Sequence, residues 1–211
     1  MGAAFVACGM AVGVALVLEG DRRGSRRLEL LGKPLASALF VWLGFTGLSA
    51  GDPVGGWMVV ALVLCAIGDV LLIEDRTFDA GLVAFLLGHL AYVYAFHSAT
   101  SVTRWPIAVA LPLLAAAAVI ARWLWPRLGA RRGPVLVYIA AITLMVWGAG
   151  AVAAAGTRSP KVALGAALFF ISDLLVARQR FVSRALANRV VGLPTYYAAQ
   201  FLLGLCVSRA G

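Results

Sequence analysis

Eight stretches of the chain are nearly free of charge, and each is bounded by clusters of ionised residues. They are Ala3–Leu18, Leu30–Ser49, Val54–Ile73, Ala80–Phe96, Trp105–Trp125, Pro134–Ala155, Val162–Ala177 and Val190–Val207. A helix crossing a bilayer needs about 20 mostly apolar residues, within a range of about 17–25. The first and seventh stretches are short by that measure and could tilt little. Lipid offers an unpaired backbone group no partner, so strands with open edges are excluded. Barrel strands need only about 9–11 residues, so these runs are far too long for a barrel. The pattern therefore predicts an all-α membrane protein, an eight-transmembrane-helix bundle with brief connections. Residues 1–211 read as a single multi-pass transmembrane domain. The first run starts near Met1 without a basic n-region or an A-x-A site, and is expected to be a retained helix rather than a signal peptide.

Composition agrees with lipid as the main solvent. Hydrophobic residues make up 63% and charged residues 13%, whereas a soluble domain runs near 45–50% and about 25%. The net charge of +9 could suggest nucleic acid, but the basic residues sit in short loops between apolar runs, where topology signals belong. Fourteen of the 18 fall on the side of the loops after the odd-numbered helices, counting Lys33 and Arg122 with their nearest ends. Arg104, Arg158, Lys161 and Arg209 make up the rest. The bias puts the odd loops in the cytoplasm and both termini outside. Abundant Ala, Gly, Val and Arg suit a GC-rich bacterial genome, and hence a plasma membrane. Cys8, Cys65 and Cys206 lie far apart in apolar runs, which suggests neither a disulfide framework nor a metal knuckle.

A short echo links two helices. The third carries Ala66-Ile67-Gly68-Asp69-Val70-Leu71-Leu72, and the seventh carries Phe170-Ile171-Ser172-Asp173-Leu174-Leu175-Val176. A duplicated four-helix unit would make the two halves parallel repeats about an axis along the membrane normal.

Seven of the nine acidic residues (Glu19, Asp21, Glu29, Asp52, Glu74, Asp75 and Asp79) fall at helix ends or in loops, where water solvates them. Asp69 and Asp173 fall inside apolar runs. A carboxylate in a span costs at least about 2.5–3.5 kcal/mol on insertion scales, so such residues face the bundle interior and mark function. The bland alternative is a polar clamp between helices. At about 1.5 Å per residue, both acids lie roughly 7 Å inside the same face, measured from Glu74 and from Arg178. Facing each other, they would form a carboxylate pair with one acid and one base, suited to general acid–base catalysis.

Other polar groups fall in the same half or near the midplane: His89, Tyr138, Tyr196 and Gln200, the last one turn past Tyr196 on the same face. Lys33, just before Pro34 at a helix entrance, could meet a lipid phosphate. Each also has a packing, aromatic-belt or snorkelling reading. No H-x-x-x-H, H-E-x-x-H or cysteine pair supports a metal, and no G-x-S-x-G supports a serine nucleophile. Neither a metal nor a cofactor is expected.

The ordered set Lys33-Pro34-Leu35, Gly68-Asp69, Phe85-Leu86-Leu87-Gly88-His89-Leu90-Ala91-Tyr92, Tyr138-Ile139-Ala140 and Ser172-Asp173-Leu174-Leu175 resembles the YhhN-type integral membrane family, whose animal members are lysoplasmalogenases. The resemblance spans Lys33 to about Gln200. It implies a lysophospholipid substrate and hydrolysis of its vinyl-ether bond to a fatty aldehyde and a glycerophospho-base. Asp69 and Asp173 would then be the acid–base pair, and Lys33, His89, Tyr138, Tyr196 and Gln200 would position substrate and water. Two other classes stay open. An intramembrane aspartyl protease has G-x-G-D, but here Ala66 stands where the first Gly belongs. A proton-coupled transporter would use buried acids too, but the helices show few of the Gly/Pro interruptions of broken transport helices.

Overall fold

A computed structural model describes residues 2–208. It contains eight α-helices: α1 (Ala3–Arg23), α2 (Arg26–Gly47), α3 (Pro53–Leu71), α4 (Phe78–Ala99), α5 (Ile107–Leu128), α6 (Arg132–Ala154), α7 (Lys161–Phe181) and α8 (Leu186–Leu205). Short 3₁₀ turns precede α4, α5 and α6, and the described residues include no strand. Six helical stretches are long and apolar enough to cross a membrane; one of them, Ile107–Ala154, joins α5 and α6. The chain is thus an all-helical, multi-pass membrane protein. Only α8 falls outside that set, and it carries Asn188, Arg189, Thr195 and Gln200 among its apolar residues.

The helices overrun the apolar stretches at their ends. α1 and α7 are both 21 residues long, so neither is short. An apolar run stops at the first charge, but Arg and Glu are good helix formers and the backbone continues through them to the rim. α1 ends only at Gly24, whose φ of 61° is the left-handed conformation glycine adopts freely. α2 begins at Arg26, which puts Lys33 and Pro34 inside the helix rather than at its entrance.

Antiparallel neighbours pack in sequence, α1 on α2, α3 on α4 and α7 on α8. Cross-packing of α2 on α8 and of α4 on α6 closes the bundle. Small residues allow close approach, as membrane helices require without a hydrophobic drive between them. A methyl group added at Gly32 would lie 2.5 Å from the carbonyl oxygen of Gly13.

Ion pairs gather the loops that follow the odd-numbered helices at one end. Arg26 meets Glu74, Arg131 meets Asp79 at 3.0 Å, and Arg180 lies 3.7 Å from Asp75. Arg189 meets Asp21 at 2.7 Å and Glu29 at 3.4 Å. At the other end Arg158 holds Asp52 at 2.7 Å and donates to the carbonyl of Val207 at 3.1 Å. Arg209 lies outside the described residues. Two acids expected in water are therefore buried: Asp52 is 7% exposed and the Asp21 side chain 4%. An arginine distant in the chain compensates each, Arg158 from the α6–α7 loop and Arg189 from α8, partners that proximity in sequence does not reveal.

Candidate active site

Asp69 stands in the last turn of α3, against α2 and α8. The hydroxyls of Ser37 and Tyr196 donate to its Oδ2 at 2.6 and 2.8 Å. The hydroxyl of Tyr197 lies 3.4 Å from Ser37 Oγ. Lys33, one turn before Ser37 on α2, is buried and points its ammonium at the backbone carbonyl of Asp69 at 3.5 Å. Lys33 therefore serves the protein interior rather than sitting at a rim beside headgroups.

Asp173 stands two turns before the end of α7. Tyr138 of α6 donates to its Oδ2 at 2.8 Å, and Nε2 of the fully buried His89 on α4 approaches the same oxygen at 3.4 Å. The neighbouring Ser172 donates to the carbonyl of Gly192 at 3.1 Å and clips α7 to α8.

No hydrogen bond or ion pair joins the two acids among the described residues; aromatic rings occupy the space between their partner sets. Phe85 and Phe169 meet edge to face at 6.2 Å, and each packs on Tyr196, at 5.7 and 5.5 Å. Phe169 also covers His89 at 4.6 Å. Gly68 makes room for this layer, since a methyl there would fall 2.7 Å from the Phe85 ring. The structure thus brings Lys33 and Tyr196 to Asp69, and His89 and Tyr138 to Asp173. Gln200 joins neither set: the Tyr92 hydroxyl donates to its Oε1 at 3.3 Å in the fully buried core.

Asp173 borders a cavity, whereas Asp69 is buried. A cavity of about 580 Å³ lies between α4, α5, α6 and α7, within the size range of small-molecule sites. Leu82, Leu86, Ile120, Ile142, Phe170 and Leu174 line it, with Tyr138 and Asp173 on one wall. Asp79, Arg131 and Arg180 line its end at the basic face, and no residue of α1, α2, α3 or α8 reaches it. A carboxyl group with a hydroxyl beside it, facing an apolar slot, can pass a proton to a bound lipid.

Sequence reasoning missed Ser37, Tyr197, Phe85 and Phe169 as parts of this arrangement. Three of them stand one helical turn from a residue that was singled out: Ser37 from Lys33, Phe85 from His89, and Phe169 from Asp173. That spacing was the available signal. Tyr197 carries none beyond adjacency to Tyr196.

Comparison with known proteins follows the same outline. The YhhN family profile matches residues 28–207. A lysoplasmalogenase of Mycobacterium bovis is 34% identical over 160 residues, covering 70% of this chain. The chain spans 58% of that relative's length. Lysoplasmalogenase TMEM86A of Bos taurus is 33% identical over 175 residues, 79% of this chain and 71% of its own. An uncharacterized membrane protein YhhN of Escherichia coli is 27% identical over 192 residues, 89% of this chain and 91% of its own. No solved structure matches. With a profile that takes in most of the described helices, the chain belongs to the YhhN family.

Proposed function

We propose that this protein hydrolyses the vinyl-ether bond of a lysoplasmalogen, with Asp173 as the residue that moves the proton. The observation that carries the reading is the position of Asp173 and Tyr138 on the wall of an apolar cavity, in a chain with relatives that bear the name lysoplasmalogenase. The chemistry balances with one carboxyl group. Asp173 in its acid form protonates the outer alkene carbon, giving an oxocarbenium ion and a carboxylate. Water adds to the cation and returns its proton to that carboxylate. The resulting hemiacetal collapses to a fatty aldehyde and the glycerophospho-base. Tyr138 orients the carboxyl, and His89 lies against the same oxygen.

Asp69 we assign a positioning role. Its carboxyl fixes Tyr196, whose ring packs on Phe85 and Phe169, and Phe169 in turn packs on His89. We read all eight helices as membrane-crossing, with the odd loops in the cytoplasm. We also read the two halves as parallel repeats. Asp69 draws partners from α2 and α8, and Asp173 from α6 and α4. Those are the corresponding helices of the two units with their membership exchanged, as a twofold axis along the membrane normal would give.

Purified protein incubated with a lysoplasmalogen should release aldehyde. Asp173→Asn should lose about a thousandfold or more, the scale of a positioned acid. Asp69→Asn should retain measurable turnover. Absence of aldehyde from the unaltered protein rejects the substrate, and near-normal turnover by Asp173→Asn rejects the assignment.

A further inference from the structure

On the lysolipid reading above, we propose that Arg131 and Arg180 form a headgroup site at the mouth of the cavity. They would take the phosphodiester of a one-chain zwitterionic phospholipid, while Asp79 faces its ammonium. Many arginines crowd the basic end, as topology alone would arrange. Among the described residues, however, only Arg131 and Arg180 also line the cavity. Their distance from the chemistry is matched. Arg180 lies seven residues beyond Asp173 on α7, and Arg131 lies seven before Tyr138, which makes each separation about 10 Å along the bundle. In a lysoplasmalogen, the path from the protonated alkene carbon to phosphorus runs through seven bonds, roughly 9 Å when extended. A lipid whose alkene meets Asp173 therefore carries its phosphate to the two guanidinium groups, with its tail in the apolar slot.

The local chemistry suits that occupant. The Arg180 guanidinium lies 4.2 Å over the Phe78 ring, which fixes its plane. Its Nη1 lies 3.7 Å from Asp75, whose side chain is 90% exposed, so the pair exchanges readily for a phosphate. Arg131 is 40% exposed and grips Asp79 through two nitrogens, at 3.0 and 3.1 Å, leaving other donors of its fork free. Arginine forks bind phosphate bidentately. The Asp79 side chain, 70% exposed beside Arg131, is placed for the cation of an ethanolamine or choline headgroup.

The test uses two probes that cannot be cleaved, an alkyl-ether lysophosphoethanolamine and the matching 1-alkylglycerol, with affinities measured on the full chain in detergent. Unaltered protein should bind the phospholipid more tightly than the alkylglycerol. Arg131→Gln and Arg180→Gln should each weaken phospholipid binding about tenfold, and the double variant about 100-fold. Alkylglycerol affinity should stay constant in all of them. Arg131→Lys and Arg180→Lys should recover part of the loss, and the exposed Arg127→Gln should change nothing. Undiminished phospholipid binding by both Gln variants overturns the proposal, as does equal loss for both probes or no initial preference. Neither probe reacts, so the outcome stands apart from aldehyde release, which tests the reaction itself.

Discussion

The buried carboxyl of Asp69 takes the hydroxyls of Ser37 and Tyr196, with the Lys33 ammonium on the residue's backbone carbonyl, whereas the carboxyl of Asp173 has two partners and a flank on the cavity. The helix outside each acid accounts for the contrast. α1 buries six residues along its length, draws close to α2 through Gly13 and Gly32, and reaches α8. At its end Asp21 and Glu29 hold Arg189 across the gap. α5 buries only Ala110, Leu124 and Leu128, and touches α7 little. One side is sealed by small residues and buried charge; the other keeps a slot. One side of the bundle is thus a closed core and the other holds a cavity, according to how tightly the outer helix docks.

The largest effect should come from breaking the charge balance of the sealed side. Lys33→Met or Asp69→Asn alone leaves one buried charge without its counterpart, a loss of about 3–5 kcal/mol. The double variant should lose less than either single change in detergent unfolding. Additive losses would mean that the two do not act as a pair. Next comes Gly32→Leu, which forces α1 off α2 and should cost about 1–3 kcal/mol by overpacking. A thermal-shift series reads it, and an unchanged midpoint would count against the close packing. Smaller is the split between two tyrosines. Tyr138→Phe should lower kcat about tenfold, worth about 1.4 kcal/mol, with little loss of stability. Tyr196→Phe should lower stability by about 1 kcal/mol with a lesser effect on kcat. The reverse pattern would exchange the roles of the two sides.

Much of this was legible from the residues. Apolar runs bounded by charge located each helix, because lipid forces the backbone to satisfy itself. Asp69 and Asp173 stood out because a charge inside such a run needs a reason. Interhelical geometry was not legible. The sequence suggested two acids facing each other as a pair, and an aromatic layer with separate partner sets lies between them instead. Lys33 looked like an interfacial cation because Pro34 resembled a helix start, although Pro34 lies inside α2. Asp21 and Asp52 looked solvated because Arg189 and Arg158, their partners, come from helices and loops far along the chain. In each case the deciding term is a contact between distant segments, which no local spacing encodes.

The central claim is that Asp173 borders an apolar cavity open to a lipid substrate while Asp69 is enclosed in the core. It is tested most directly by labelling with an apolar carbodiimide, which modifies carboxyl groups reachable from the membrane, followed by peptide mass mapping. The account predicts modification at Asp173, suppressed by an alkyl-ether lysophospholipid, with Asp69 unmodified. Modification of Asp69 at the rate of Asp173, or no protection of Asp173 by the lipid, would contradict it.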